Sequence, residues 1–191
     1  MKLPHVYQIW IPGNRSSEYY SAYTRNSWKQ QGFELDLFEA TTPEHLSDLS
    51  DLTFNDLKLG GRIVRPFSET EKAVWYSHYR CWKLCVELDI GIIVCEHDVR
   101  PIMPLKDIKW EQHGIIGLSH DHPTRRTLAG GAYYITPKVA QKMIDNIVQE
   151  VISSNSDGYI HSSINHNGVF FKMHCRQIKE YDNYPATIEH S

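Results

Sequence analysis

An α/β fold, with a mostly parallel central sheet and helices on both faces, is predicted by three features of the 191-residue chain. Strand, turn, helix and second strand follow one another over residues 5–38, the order of a βαβ unit with a short crossover. Residues 90–95 form an unbroken apolar run behind a long helix, the pattern of a strand buried on both faces. Gly130-Gly131-Ala132-Tyr133-Tyr134-Ile135 then passes through Thr136-Pro137 into an amphipathic helix.

Taken in order, residues 5–11 are the first strand, stopped by Pro12-Gly13-Asn14. Arg15 lies just past that turn, and residues 18–31 read as a helix closed by Gly32. Residues 33–38 alternate as a second strand, and residues 42–61 read as one or two helical turns and a loop. In the central helix Ser68 is the cap and Glu71 falls where a capping box needs it. Ala73, Val74, Trp82, Leu84 and Cys85 supply its apolar positions. Glu96 and Asp98 stand one residue apart at the C-terminal end of the next strand, where open α/β sheets bind ligands. Two carboxylates there suit a hard divalent cation and the phosphates it bridges. The bland alternative is a solvated turn.

Residues 114–118 are another apolar strand, followed by a polar loop that holds His120, Asp121, His122, Arg125 and Arg126. Loops of this kind carry substrate contacts. Thr136 is a good N-cap and Pro137 suits the first helical position. Gly130 and Gly131 permit close backbone approach of a substrate. Asp157 begins a helix after a Ser/Asn-rich loop, with His161 four residues on and on the same face. Its plain reading is an N-cap carboxylate. Residues 169–174 alternate as a strand, residues 177–181 read as a further one, and His190 lies in the tail.

One domain over residues 1–191 is expected, large enough for a real core. Hydrophobic content of 41% and charged content of 23% are those of a folded globular chain. A net charge of −3 gives no global field for nucleic acid. Cys81, Cys85, Cys95 and Cys175 contain no CxxC pair, which argues against a zinc knuckle and for small apolar fillers in a reducing compartment. The N-terminus lacks a signal peptide's apolar core and no stretch reaches a membrane span, so a cytoplasmic location is expected.

The central block resembles glycosyltransferase family 25, the lipooligosaccharide and collagen galactosyltransferase-like group, which shows a Glu, then Ser-His and Trp on a helix, then a strand ending in Glu-Asp-Asp. Glu71, Ser77-His78 and Trp82 stand at matching offsets, and Glu96-His97-Asp98 replaces the middle acid by histidine. Gly130 to Ala140 repeats the family's Gly-x-Ala-Tyr, strand, Ser/Thr-Pro, helix arrangement.

The resemblance implies a nucleotide-sugar transferase fold of the GT-A type. It implies a nucleotide-diphosphate sugar as donor, a hydroxyl acceptor, Mn²⁺ or Mg²⁺ as cofactor, and inversion at the sugar carbon. Arg15, Ala40, Thr41, Glu71, Ser77 and His78 become candidate donor contacts, with Glu96, Asp98 and His190 as metal ligands. Gly130, Gly131, Tyr133 and His161 become substrate contacts, with Tyr134 and Trp75 as further sugar-facing aromatics. Asp157 becomes the base.

Three other readings stay open. Arg62, Arg65, Arg125 and Arg126 could hold the phosphates of viral DNA with a flipped hydroxymethylated base as acceptor. His97 in place of an acid fits an inactive fold used as a binding module. His120, Asp121 and His122 fit a metal-dependent phosphohydrolase. Donor identity, acceptor and oligomeric state are not readable from spacing.

Overall fold

The computed structural model describes residues 2–59, 62–119, 130–149 and 151–177, and of Leu59 and residues 170–173 only the backbone. In chain order the elements are β1 (His5–Trp10), α1 (Arg15–Gln30), β2 (Leu35–Glu39), a 3₁₀ turn (Pro43–Asp48), β3 (Leu57–Leu59) and β4 (Arg62–Arg65). Then come α2 (Glu69–Leu88), β5 (Ile92–Glu96), β6 (Val99–Pro101), a 3₁₀ turn (Trp110–Gln112) and β7 (Ile115–Ser119). β8 (Ala132–Ile135), α3 (Pro137–Gln149), α4 (Ser156–Asn167) and β9 (Gly168–Gln177) complete the described chain.

Seven strands form one sheet in the order β2-β1-β5-β8-β7-β9-β6, and β3 and β4 form a separate hairpin. β2, β1 and β5 run parallel, so their C-terminal ends lie at one edge. β8 runs antiparallel to β5 and to β7, while β7 and β9 are parallel. The α/β class holds, with a mixed sheet. An antiparallel β8 has a positional effect: it enters the sheet at the edge where β5 leaves it. Cys95 pairs with Ala132, so Gly131 and Gly130 sit beside Glu96.

Side chains of a strand alternate between faces. Ile92 and Val94 join Trp75, Trp82, Met143 and Ile160 in a core on the side of α2, α3 and α4. Ile93 and Cys95 join Val6, Trp28 and Trp110 in a second core under α1. The strand is buried on both faces, as its unbroken apolar run predicts.

The capping box of α2 forms as expected: Ser68 Oγ accepts from the Glu71 N–H and Glu71 Oε2 accepts from the Ser68 N–H. Val74 departs from the predicted apolar stripe and stands exposed. α1 starts three residues earlier than predicted, because Asn14 Oδ1 caps it by accepting from the Ser17 N–H. Arg15 is therefore the first helical residue, on the exposed side, rather than part of a loop. Gly32 closes the helix with φ +87°, a conformation that suits glycine. The stretch after residue 42 contains the β3–β4 hairpin, which its weak periodicity concealed.

Candidate active site

Glu96 is the last residue of β5, two positions after Val94, so its side chain falls on the face covered by α2. There it meets His78, with Nε2 3.8 Å from Glu96 Oε1. The His78 side chain is 1% exposed. Its Nδ1 lies 3.1 Å from the Tyr133 hydroxyl, which also accepts a 2.8 Å bond from Trp82 Nε1. The Glu96 N–H donates to the Gly131 carbonyl, which locks the glycine pair against the strand end.

Asp157 reaches the same point from the other side. The N-cap of α4 is Asn155, whose Oδ1 accepts from the Gly158 N–H. This corrects the capping role read for Asp157, whose Oδ1 instead accepts a 2.8 Å bond from the Gly130 N–H. A methyl group built on Gly130 would stand 2.8 Å from Asp157 Oδ1 and 3.4 Å from His78 Nε2. Both polar atoms therefore border the space that the missing side chain leaves. Trp75 holds α4 in place: its indole donates to the Ser154 carbonyl and its ring meets Tyr159, whose hydroxyl donates to the Met143 carbonyl.

Electrostatics separate the two carboxylates. For Glu96, burial pushes the carboxyl up, but the hydrogen bond from His78 and the neighbouring His78 and His97 rings outweigh it, so the group lies below its ordinary range. For Asp157, burial and then the negative charge of Glu96 push the carboxyl up, against the Gly130 N–H and His78, and the net direction is upward. Pairs of groups driven apart in this way mark acid and base assignments. His97 is lowered by burial, against the opposing pull of Glu96.

The turn after β5 carries His97 and Asp98. Its backbone is clamped: the His97 carbonyl accepts from Thr24 Oγ1 at 2.8 Å and from Gln8 Nε2 at 3.2 Å. Gln8 and Thr24 are fully buried polar residues on β1 and α1. Sequence reasoning missed both, although a glutamine inside an apolar strand was a visible signal. Asp98 sits in the turn with Oδ1 sealed from solvent. Among the described residues no group of three or more His, Cys, Asp or Glu is placed to hold an ion. Glu96 and Asp98, expected from the sequence as metal ligands, stand one residue apart at the end of β5 and in the turn after it.

Other sequence-derived candidates fall elsewhere. Ser77 is buried and internally spent, since its hydroxyl donates to the Ala73 carbonyl and accepts from the Thr41 N–H. Ala40 and Thr41 are buried beside α2, at the C-terminal end of β2. Glu71 is held by Arg65 at 2.7 Å, two helical turns before His78. Tyr133, Tyr134 and Trp75 are buried in the cores, which corrects their reading as sugar-facing aromatics; Tyr133 meets the site through His78. His161 is half-buried on α4. His120, Asp121, His122, Arg125, Arg126, His190 and the strand predicted beyond residue 177 lie outside the described residues.

The segment that contains Ser77-His78, Trp82 and Glu96-His97-Asp98 decides the family resemblance. Residues 21–113 match glycosyltransferase family 25 (LPS biosynthesis protein). The resemblance carried by those motifs therefore stands over that family 25 segment, which covers both α2 and the acidic turn. No curated protein sequence matches the chain. Among solved structures it is similar to a Drosophila β1,4-galactosyltransferase 7 mutant in complex with manganese, UDP-Gal and xylobiose, at 12% identity and a TM-score of 0.49. That alignment covers 88% of this chain and 65% of the galactosyltransferase chain. A glycosyltransferase involved in glycosylation of the major capsid of PBCV-1 aligns at 10% identity and a TM-score of 0.49, over 88% of this chain and 81% of that one.

Proposed function

We propose that this chain is a GT-A type transferase that moves a sugar from a nucleotide-diphosphate sugar to an acceptor hydroxyl, with Asp157 as the base. One observation carries the reading: Asp157, its carboxyl raised by burial and by the charge of Glu96, accepts from the Gly130 N–H and closes against His78 at the edge where the parallel strands end. The family 25 match over residues 21–113 supports the transferase class.

In this reaction the acceptor oxygen gives its proton to Asp157 Oδ2 or Oδ1 and attacks the anomeric carbon. The bond from that carbon to the diphosphate oxygen breaks, and its electron pair leaves with the diphosphate. A single direct displacement inverts the sugar carbon. A base raised above the ordinary carboxylate range holds the abstracted proton better, and it must still be ionised at working pH. Glu96 and Asp98 would hold Mn²⁺ or Mg²⁺, an ion that supplies Lewis-acid stabilisation of the departing diphosphate. The Gly130 N–H holds Asp157 Oδ1 in place, and Glu96, its carboxyl lowered beside His78, adds negative charge at the same strand end.

The test is a transfer and hydrolysis screen of UDP, GDP, CMP and TDP sugars with and without Mn²⁺, run beside Asp157→Asn. Turnover with one donor, lost in the variant by about 10²–10⁴-fold, supports the reading. No turnover with any donor, or an active variant, overturns it. The Arg65 guanidinium is already paired with Glu71, which removes one of the phosphate contacts that a DNA-base acceptor would use.

A further inference from the structure

The site holds two candidate proton acceptors, His78 and Asp157, and the hydrogen-bond inventory around Tyr133 separates them. An indole N–H only donates, so the Tyr133 oxygen must accept from Trp82 Nε1 at 2.8 Å. The phenol proton then needs an acceptor of its own, and His78 Nδ1 stands 3.1 Å away. The reverse arrangement, with Nδ1 donating, would leave the phenol proton to find another acceptor inside a fully buried core. A buried donor without a partner is costly. Burial also keeps the phenol protonated, because it drives the Tyr133 hydroxyl well above its ordinary range.

We propose that Tyr133 is a positioning residue that donates to His78 Nδ1 and so fixes the ring with its proton on Nε2, presenting an N–H, not a lone pair, to Glu96 and to the narrow gap at Gly130. His78 Nε2 faces Glu96 Oε1 at 3.8 Å and lies 3.4 Å from where a Cβ on Gly130 would stand, a gap too narrow for a methyl group beside Asp157. A donor there attracts the ionised carboxylate and cannot take a proton from the acceptor. That duty falls to Asp157, which borders the same space. Sequence offsets alone cannot assign this division of labour, because both residue types serve as bases. The proposal deepens the transferase reading and rests on it for its kinetic arm only.

The first measurement needs no turnover. In protein labelled with ¹⁵N-histidine, with the His78 signals assigned by their loss in His78→Gln, the imidazole nitrogens report which one carries the proton. Expected is a single Nε2–H tautomer, with Nδ1 shifted as a hydrogen-bonded lone pair. In Tyr133→Phe the Nδ1 signal moves to the position of an unbonded lone pair. A wild-type proton on Nδ1, or an Nδ1 signal unmoved by Tyr133→Phe, overturns the proposal whatever the enzyme does.

The second measurement is kinetic, on the donor found to turn over. Tyr133→Phe is expected to lower kcat about tenfold with KM changed less than about twofold, the size of one lost hydrogen bond. A loss confined to KM overturns the positioning role. An active Asp157→Asn sinks the transferase base instead, and leaves the tautomer result standing.

Discussion

At the scale of single residues, Asp157 carries a tension between stability and use. Its charged form is disfavoured by burial and by Glu96, so ionising it works against the folded state. Asparagine keeps an oxygen for the Gly130 N–H and removes the charge. Asp157→Asn should therefore melt no lower than wild type at pH 8 while losing transfer, which paired melting curves and rate assays check. The pH dependence has a definite sign. A base must be ionised to act, so kcat/KM should rise with pH through a value above the ordinary carboxylate range. An acid limb at or below that range would contradict the assignment. Gly130→Ala tests the same point sterically. Its backbone is not left-handed, so the added methyl is strained only by Asp157 Oδ1 at 2.8 Å and crowded by His78. The carboxylate must move, and a misplacement near 1 Å costs on the order of 10²-fold in rate.

At the scale of elements, α2 is fixed at its start by the Ser68–Glu71 box and the Arg65 pair. The hydrogen bonds from Arg65 pull the Glu71 carboxyl down to about 2, against burial. A carboxyl lowered in the folded state contributes stability above its unfolded value of 4.5 and loses it as pH falls toward about 2. Wild type should therefore lose Tm over that window more steeply than Arg65→Met, measured by thermal melts at stepped pH. Ser68→Ala should cost about 1 kcal/mol, read in denaturant melts. This helix was the most legible part of the sequence, because capping is local: Ser68 and Glu71 are three residues apart and meet wherever a helix forms. The partner of Arg65 was less legible. Its meeting with Glu71 depends on the β3–β4 hairpin, whose weak pattern gave no strand signal.

At the scale of the whole molecule, the two cores enclose all four cysteines. Burial pushes every one of their thiols well above the ordinary range, Cys85 to about 12. Alkylation at pH 8 should thus be negligible in the native protein and should track global unfolding; rapid labelling of any one thiol would contradict the packing. Their use as apolar fillers was readable from spacing. The sheet order was not. Strand existence follows from local apolar runs, but the reversal of β8 depends on which partners its edges find. That reversal is what places Gly130 beside Glu96 and Asp157, three stretches far apart in sequence. The acidic pair Glu96 and Asp98 could be named from the chain alone, whereas Gln8 and Thr24, which hold their turn, belong to other elements.

The clamp on that turn grips a main-chain oxygen and leaves the residue type at position 97 unspecified. Substitution at His97 can therefore alter the charge beside Glu96, at the cost of its ring contact with Tyr20, and leave the main-chain clamp in place, whereas Thr24→Val would loosen all three turn residues together. A lineage could retune the charge beside Glu96 through this one codon while the main-chain clamp stayed still.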